Sequence, residues 1–376
     1  MESDFLVVGG GIAGASAGYF LAALGSVTLL EMERAPGYHS TGRSAALFSE
    51  YYGNAVVRAL TAASRPFYTA PPPGFARPLL SPRGVLALCP HGAEDEFDEV
   101  LAGGQAAPVP AREVGADEAV AICPAVRPGW FSRAMVKPGV MDIDTDALHQ
   151  GFLRGIRARG GQVRAAARVR ELGRACGRWR AVTDAGEFSA EVVVNAGGAW
   201  ADELARLAGV APAGLVPLRR TACIVAAPDP APGGVPVPDW PMIGDVTDTF
   251  YVKPESGALL ISPADATPSP PGDARPDDLD VAAAAARVEA ATTLRIRHIR
   301  RAWAGLRTAA PDDTPVVGRA PGSPGFAWVA GLSGYGLQSA PAVGQLAAAL
   351  AAGQAPRVDG REPDFDLAAL APGRGR

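Results

Sequence analysis

Apolar residues fall along this chain in short blocks, and the blocks differ in kind. Residues 5–8, Phe-Leu-Val-Val, form an unbroken apolar run of strand length, the pattern of a parallel strand buried on both faces. Gly9-Gly10-Gly11-Ile12-Ala13-Gly14 follows, and then Ala17, Phe20, Leu21 and Leu24 recur at helical spacing. Residues 27–30 are a second mostly apolar run, closed by Glu31. The opening therefore predicts strand, glycine turn, helix, strand. Later blocks repeat the theme at a distance. Residues 191–195 read as a buried strand running into Gly197-Gly198, and residues 326–331 as another strand ending in glycine. An Ala-rich apolar stretch over residues 341–352 predicts a helix. Pro/Gly-rich stretches at 71–74, 228–238 and 268–273 read as exposed loops, and no internal repeat is visible.

The G-x-G-x-x-G is a weak signal alone, but its setting between a strand and a helix, with an acid closing the next strand, is the one its chemistry requires. Gly9 permits the tight turn, Gly11 lets the backbone approach a pyrophosphate, and Gly14 allows close packing of helix on strand. The helix N-terminus, through Ile12 and Ala13, offers unpaired N–H groups and partial positive charge to phosphates. Glu31 can accept hydrogen bonds from ribose hydroxyls.

Composition narrows the picture further. The chain has 376 residues, 48% apolar and 20% charged, long enough for two domains and globular rather than disordered. Its net charge of −4 is scattered, so no basic face suits nucleic acid. Arg295, Arg297, Arg300 and Arg301 alternate with apolar residues and read as the solvated side of a strand. Cys89, Cys123, Cys176 and Cys223 form no C-x-x-C pair, which argues against a metal site or disulfide framework and for buried inert thiols. The N-terminus is acidic and no segment approaches ~20 uninterrupted apolar residues, so no transmembrane segment and a cytoplasmic location are expected.

An NAD-binding unit would continue into further βαβ repeats. Here the chain reaches residues 37–46, Gly-Tyr-His-Ser-Thr-Gly-Arg-Ser-Ala-Ala, a small-residue loop rich in hydroxyls and backbone donors, able to run under a flavin and its pyrophosphate. This loop resembles the flavin loop of the D-arginine dehydrogenases, within the D-amino-acid oxidase and glycine oxidase superfamily. The resemblance recurs in order at residues 60–65, 79–83, 142–151, 195–200, 303–307 and 334–338. It implies an α/β fold: a Rossmann-like FAD domain built from residues 1–50, 136–205 and 301–376, and a mostly antiparallel substrate-binding sheet from 51–135 and 206–300. It implies non-covalently held FAD. The contacts would come from Gly9, Gly11, Ile12, Ala13, Gly14, Glu31 and Met32, from Ser40, Thr41, Gly42, Arg43, Ser44, Ala45 and Ala46, from Val169, Ala196, Gly197 and Trp200, and from Gly305, Arg307, Ser333, Gly334, Tyr335, Gly336, Leu337 and Gln338.

Oxidation of an amino acid removes the Cα hydrogen as a hydride to flavin N5, so the protein's task is to orient the substrate and hold its charges. A carboxylate beside a flavin calls for a bidentate arginine and phenolic hydroxyls. The resemblance assigns these to Arg220, Arg307, Tyr52 and Tyr251, and the amine to the Gly334 carbonyl and Gln338. Arg220 competes with its neighbour Arg219 for the role. No Ser/His/Asp triad is visible, and His91, His149 and His298 read as structural or exposed.

The sequence departs from the D-arginine dehydrogenase pattern at two positions. Val85 stands where those enzymes place a glutamate, and Leu47 where they place a histidine. With Ser49, Met242 and Gly244 these residues would line a pocket in which an unpaired guanidinium costs several kcal/mol. The resemblance, with these departures from it, implies a dehydrogenase of D-amino acids with neutral, apolar side chains, passing electrons to a quinone or to oxygen. The alternatives are a glycine, sarcosine or other secondary-amine oxidase forming hydrogen peroxide, a flavoenzyme tailoring an amine in a larger molecule, and a non-catalytic flavoprotein.

Overall fold

The computed structural model describes residues 1–374. Strand Glu2–Val8 runs into helix Ile12–Leu21 and on to strand Val27–Leu30, which returns parallel to the first with Val8 beside Leu30. Phe5 and Val7 face one side of the sheet and Leu6 and Val8 the other, each within a separate apolar cluster. That is why the run is continuously apolar rather than alternating. Leu24, counted with the helix by its spacing, lies beyond the helix end and is exposed.

The sheet is completed from distant parts of the chain. Strand Gly186–Asn195 joins the free side of the first strand, placing Asn195 beside Val8, and strand Phe326–Ala330 lies beyond it. Gln162–Arg164 and Val316–Arg319 also join, the latter antiparallel. The carboxyl ends of the central parallel strands, at Val8, Leu30, Asn195 and Ala330, thus open toward one edge, where ligands bind in sheets of this kind. Helices Ile12–Leu21, Thr145–Ala158 and Gly336–Ala352 cover one face. Helix Ala201–Leu207 and the hairpin Val169–Ala175/Arg178–Thr183 cover the other.

A second sheet has nine strands. Its pairs are antiparallel except where Met242–Asp245 runs parallel to Val85–Pro90. One face, with Leu86, Cys223, Ile243 and Ile261, is buried beneath helices Ala116–Ile122 and Asp278–Ala291. The segment junctions expected at 136 and 301 fall within strands of this sheet, Phe131–Lys137 and Ile299–Ala309, because backbone pairing continues through both positions. A small sheet of Leu47–Phe48, Leu80–Pro82 and Met141–Ile143 lies apart from both. The fold is thus mixed α/β, as expected. One thiol differs from expectation. Cys176 is exposed, in the tight turn joining Ala175 to Arg178, while the other three cysteines are buried.

Candidate active site

A cavity of about 1710 Å³, open mouth included, follows the carboxyl edge of the parallel strands and reaches the second sheet. Its floor is the glycine turn. A Cβ on Gly9 would come within 2.2 Å of the Ala196 carbonyl oxygen, and one on Gly14 within 1.9 Å of the Gly9 carbonyl oxygen. Gly9 also has φ +116, a backbone region open essentially to glycine. Gly14 therefore serves helix-to-strand packing and does not line the cavity, while Gly9, Gly11, Ile12 and Ala13 do.

Glu31 closes the second strand, is 7% exposed, and accepts bonds from the Gly10 N–H at 2.7 Å and the Glu33 N–H at 2.8 Å. Burial raises its pKa, against the pull of those two N–H groups. A carboxylate has room for further donors, so Glu31 can hold the turn and still meet a ribose. His149, read as structural from the sequence, lies 2.8 Å through Nε2 from the Gly10 carbonyl oxygen, and burial lowers its pKa, which makes the neutral ring the donor. The sequence held no signal for this contact, because it joins the turn to a helix far along the chain.

The loop over residues 37–46 crosses the cavity. Thr41 accepts the Ile12 N–H at 3.0 Å, occupying one donor of the helix terminus. Ser40 donates to the Leu306 carbonyl at 2.6 Å, and Arg43 to that of Ala304 at 2.9 Å. Trp303 Nε1 donates back to the Arg43 carbonyl at 3.1 Å. Of the expected cofactor residues, Met32, Ser40, Thr41, Arg43, Ser44, Ala45, Val169, Ala196, Gly197, Trp200, Gly305, Ser333, Gly336 and Leu337 line the cavity. Gly42 and Ala46 do not: the Gly42 N–H bonds the Gly37 carbonyl, and Ala46, at φ +50, donates its N–H to the Ser44 hydroxyl at 3.1 Å.

Strand alternation decides between the adjacent arginines. Arg219 turns away to Asp280 at 2.8 Å, with Asp265 and Asp277 near, whereas Arg220 lines the cavity. On the neighbouring strand Gly305 pairs with Arg220 and Arg307 with Leu218. Arg307 Nη1 lies 3.4 Å from the Tyr52 hydroxyl, and a Cβ on Gly334 would lie 3.1 Å from Nη1, so the Gly334 backbone sits on the guanidinium. Burial works against the charge of Arg307, and the phenols of Tyr52 and Tyr251 with the Asp248 carboxylate outweigh it, raising its pKa. Tyr251 is buried and lines the cavity.

Other expected residues stand back. Tyr52 touches Arg307 from the cavity's margin, its ring edge-to-face with Tyr335 at 5.0 Å. Tyr335 itself bonds Asp313 and supports Tyr52 rather than lining the cavity. Gln338 is buried and donates to Thr61 Oγ1 at 2.9 Å, away from the cavity lining. Val85 pairs with Met242, and Gly244 with Tyr251, so all four lie on the face of the second sheet that carries Arg220 and Arg307. Leu47 and Ser49 follow the cofactor loop, Leu47 paired with Asp142.

These features fit a dinucleotide with a ring system at the second sheet: a glycine turn with no space for side chains, an acid at the strand end, and, in the lining, buried atoms of Arg220 (Nε and Nη1) and Thr308 (Oγ1) that lack a partner among the described residues. Among the described residues no helix is long and apolar enough to cross a membrane.

Comparison with known proteins agrees with this geometry. The family described as FAD dependent oxidoreductase matches residues 4–350. A glycine oxidase of Pseudomonas aeruginosa is 27% identical over 394 residues, covering 99% of both chains. The mitochondrial dimethylglycine dehydrogenase of Mus musculus is 25% identical over 399 residues, which cover 99% of this chain but 44% of that one; the chain thus spans less than half the length of that relative. The crystal structure of glycine oxidase from Geobacillus kaustophilus superposes with a TM-score of 0.82 over 99% of each chain at 22% identity, a likeness of fold.

Proposed function

We propose, for a chain that belongs to the FAD dependent oxidoreductase family, that it oxidises the carbon–nitrogen bond of a small amine bearing a carboxylate, of the glycine or N-alkylglycine kind. The observation that carries this reading is the pair Arg307 and Arg220 on adjacent strands, with Tyr52 and Tyr251 around Arg307 and no bonded carboxylate on Arg307 among the described residues. A guanidinium in such a place presents its fork to a planar anion, and a substrate carboxylate satisfies it.

FAD, the family's cofactor, would supply the redox chemistry there. The residues named above for the cavity would hold it, with the pyrophosphate at the glycine turn, the ribose at Glu31 and the ring system between Gly305 and the start of helix Gly336–Ala352. The chain's own residues orient the substrate. Arg307 and Arg220 fix the carboxylate, Tyr52 and Tyr251 close over it, and the Gly334 carbonyl accepts from the amine. The carbon bearing nitrogen then loses a hydride to leave an iminium, which sheds a proton where the nitrogen carries one, and water hydrolyses it to a carbonyl compound and the freed amine. The acceptor that reoxidises the cofactor is a quinone or oxygen.

A second reading, a D-amino acid with a neutral apolar side chain, is favoured by Val85 and Met242, which extend the apolar face beyond Tyr251. Anaerobic mixing of the flavin-loaded protein with single amines separates the two. Bleaching of the flavin absorbance by glycine, sarcosine or N,N-dimethylglycine, with slower bleaching by D-leucine and D-methionine, is the expected result. Faster bleaching by these two D-amino acids selects the second reading, and no bleaching by any carboxylate-bearing amine overturns both. Peroxide release on admitting air identifies oxygen as the acceptor.

A further inference from the structure

Arg220 is short of partners. Its Nε and Nη1 are buried and bonded to nothing among the described residues, and its Nη2 meets a single carboxylate, Asp248 Oδ2, at 3.5 Å. The same carboxylate acts on Arg307. Two guanidiniums on paired strands repel each other, so an unliganded site needs a counter-charge near both, and Asp248 supplies it. The contact is longer than a charge-assisted hydrogen bond, which would close to about 2.7–2.9 Å. The Asp248 side chain is also 60% exposed. It is thus a loose partner, easily exchanged.

The backbone beneath it is firm. Asp248 sits in the turn between strands Met242–Asp245 and Tyr251–Glu255, at φ +50, which Asp and Asn adopt more readily than other side chains. The Asp245 carboxylate accepts the Thr249 N–H at 2.7 Å and bonds its hydroxyl. Arg287 donates to the carbonyls of Thr249 at 2.8 Å and Pro263 at 2.6 Å. A turn anchored at both sides thus presents one acid to the clamp, and that acid can leave by side-chain rotation alone.

We propose that Asp248 is a positioning residue: it holds the two arginines in the unliganded enzyme, and substrate binds by exchanging its carboxylate for that of Asp248. This rests on the reading that Arg220 and Arg307 receive a carboxylate. Asp248 then competes with every carboxylate ligand, setting a weaker affinity than the arginines alone would give.

The test is titration of the flavin-loaded enzyme with benzoate and with acetate, read as perturbation of the flavin spectrum, in wild type, Asp248→Asn and Asp248→Gly. Both replacements suit the left-handed backbone, so a folding defect in one does not remove the test. The expected result is a Kd about two- to fivefold lower in both variants, the scale of one exposed ion pair, with KM for the amine falling by the same factor. A merely structural residue would raise KM when replaced. In an Arg220→Met background the Asp248→Asn change has lost most of its effect, as coupled residues require. An unchanged or higher Kd in both variants overturns the proposal while leaving the carboxylate reading intact. If no carboxylate perturbs the wild-type spectrum, the reading itself fails and the proposal with it.

Discussion

Arg307 is the residue on which the proposed chemistry turns. It meets Tyr52 through its Nη1, lies under the Gly334 backbone, and is held charged by the groups around it. Arg307→Met should lower kcat/KM by about two to three orders of magnitude, the range for truncating one partner of a desolvated charge pair. Arg307→Lys should recover only part, since a point charge does not reproduce the fork. Rapid-mixing measurement of flavin reduction checks both, and equal rates in wild type and Arg307→Met would remove Arg307 from the site. His149 makes a separate prediction. Burial holds its folded-state pKa below the ordinary 6.5. Below that value the unfolded chain binds more protons than the folded one, so stability falls as pH falls. His149→Gln keeps a donor for the Gly10 carbonyl and does not titrate. The loss of melting temperature between about pH 7.5 and about pH 5.5 should therefore be smaller in the variant; an equal loss would mean that His149 does not carry this linkage. At this scale the sequence was only partly legible. The resemblance singled out Arg307, which follows the apolar run Trp303-Ala304-Gly305-Leu306, but the choice between Arg219 and Arg220 depends on which face of the strand each occupies. Gln338 shows the reverse: the resemblance puts it at the substrate amine, and the fold gives its amide to Thr61.

The strand–turn–helix at the N-terminus is the element most fully written in the sequence, because all its determinants are local: a buried strand, glycines where side chains would collide, and an acid one strand later. Gly14→Ala should be severe. The added Cβ would meet the Gly9 carbonyl oxygen at 1.9 Å, a backbone atom that cannot swing aside, and overpacking of this kind costs about 1–3 kcal/mol or more. Colourless or insoluble protein is expected. Gly103, inside helix Glu94–Gln105, is the control: a Cβ there meets nothing within 4 Å, so Gly103→Ala should stabilise by about 0.5–1 kcal/mol through helix propensity. Flavin-to-protein ratio and denaturant midpoint read the two effects, and a fully flavinated Gly14→Ala protein would contradict the packing argument. The second sheet was far less legible. Val85–Pro90 lies against Met242–Asp245 and Phe131–Lys137, and Val216–Ala226 against Ile299–Ala309, partners far apart in sequence whose register no short window encodes. The resemblance, not periodicity, carried that half of the fold.

The two sheets are tied together across the cavity by the cofactor loop itself. Ser40 and Arg43 donate to carbonyls of strand Ile299–Ala309, the strand that carries Arg307, and Trp303 of that strand donates back. Arg43 also reaches the Asp273 carboxylate at 2.5 Å, at the end of the Pro-rich stretch 268–273 that the sequence marked as exposed, and the Ala274 carbonyl next to it at 3.1 Å. The Asp273 pKa is lowered, first by that bond to Arg43. The loop proposed to hold FAD and the arginines proposed to hold the substrate thus share one set of contacts, and anything that binds the assembled form stabilises all of it. Arg43→Ala should weaken FAD binding by about tenfold, roughly 1.4 kcal/mol for bonds to a charged donor. Asp273→Asn should do much less, because Asp273 is exposed and its attraction is screened. Equilibrium dialysis of FAD against the two apoproteins measures the difference. If Arg43→Ala held FAD as tightly as wild type, the loop would be a covering segment only, and the second sheet would owe its position to packing rather than to the cofactor.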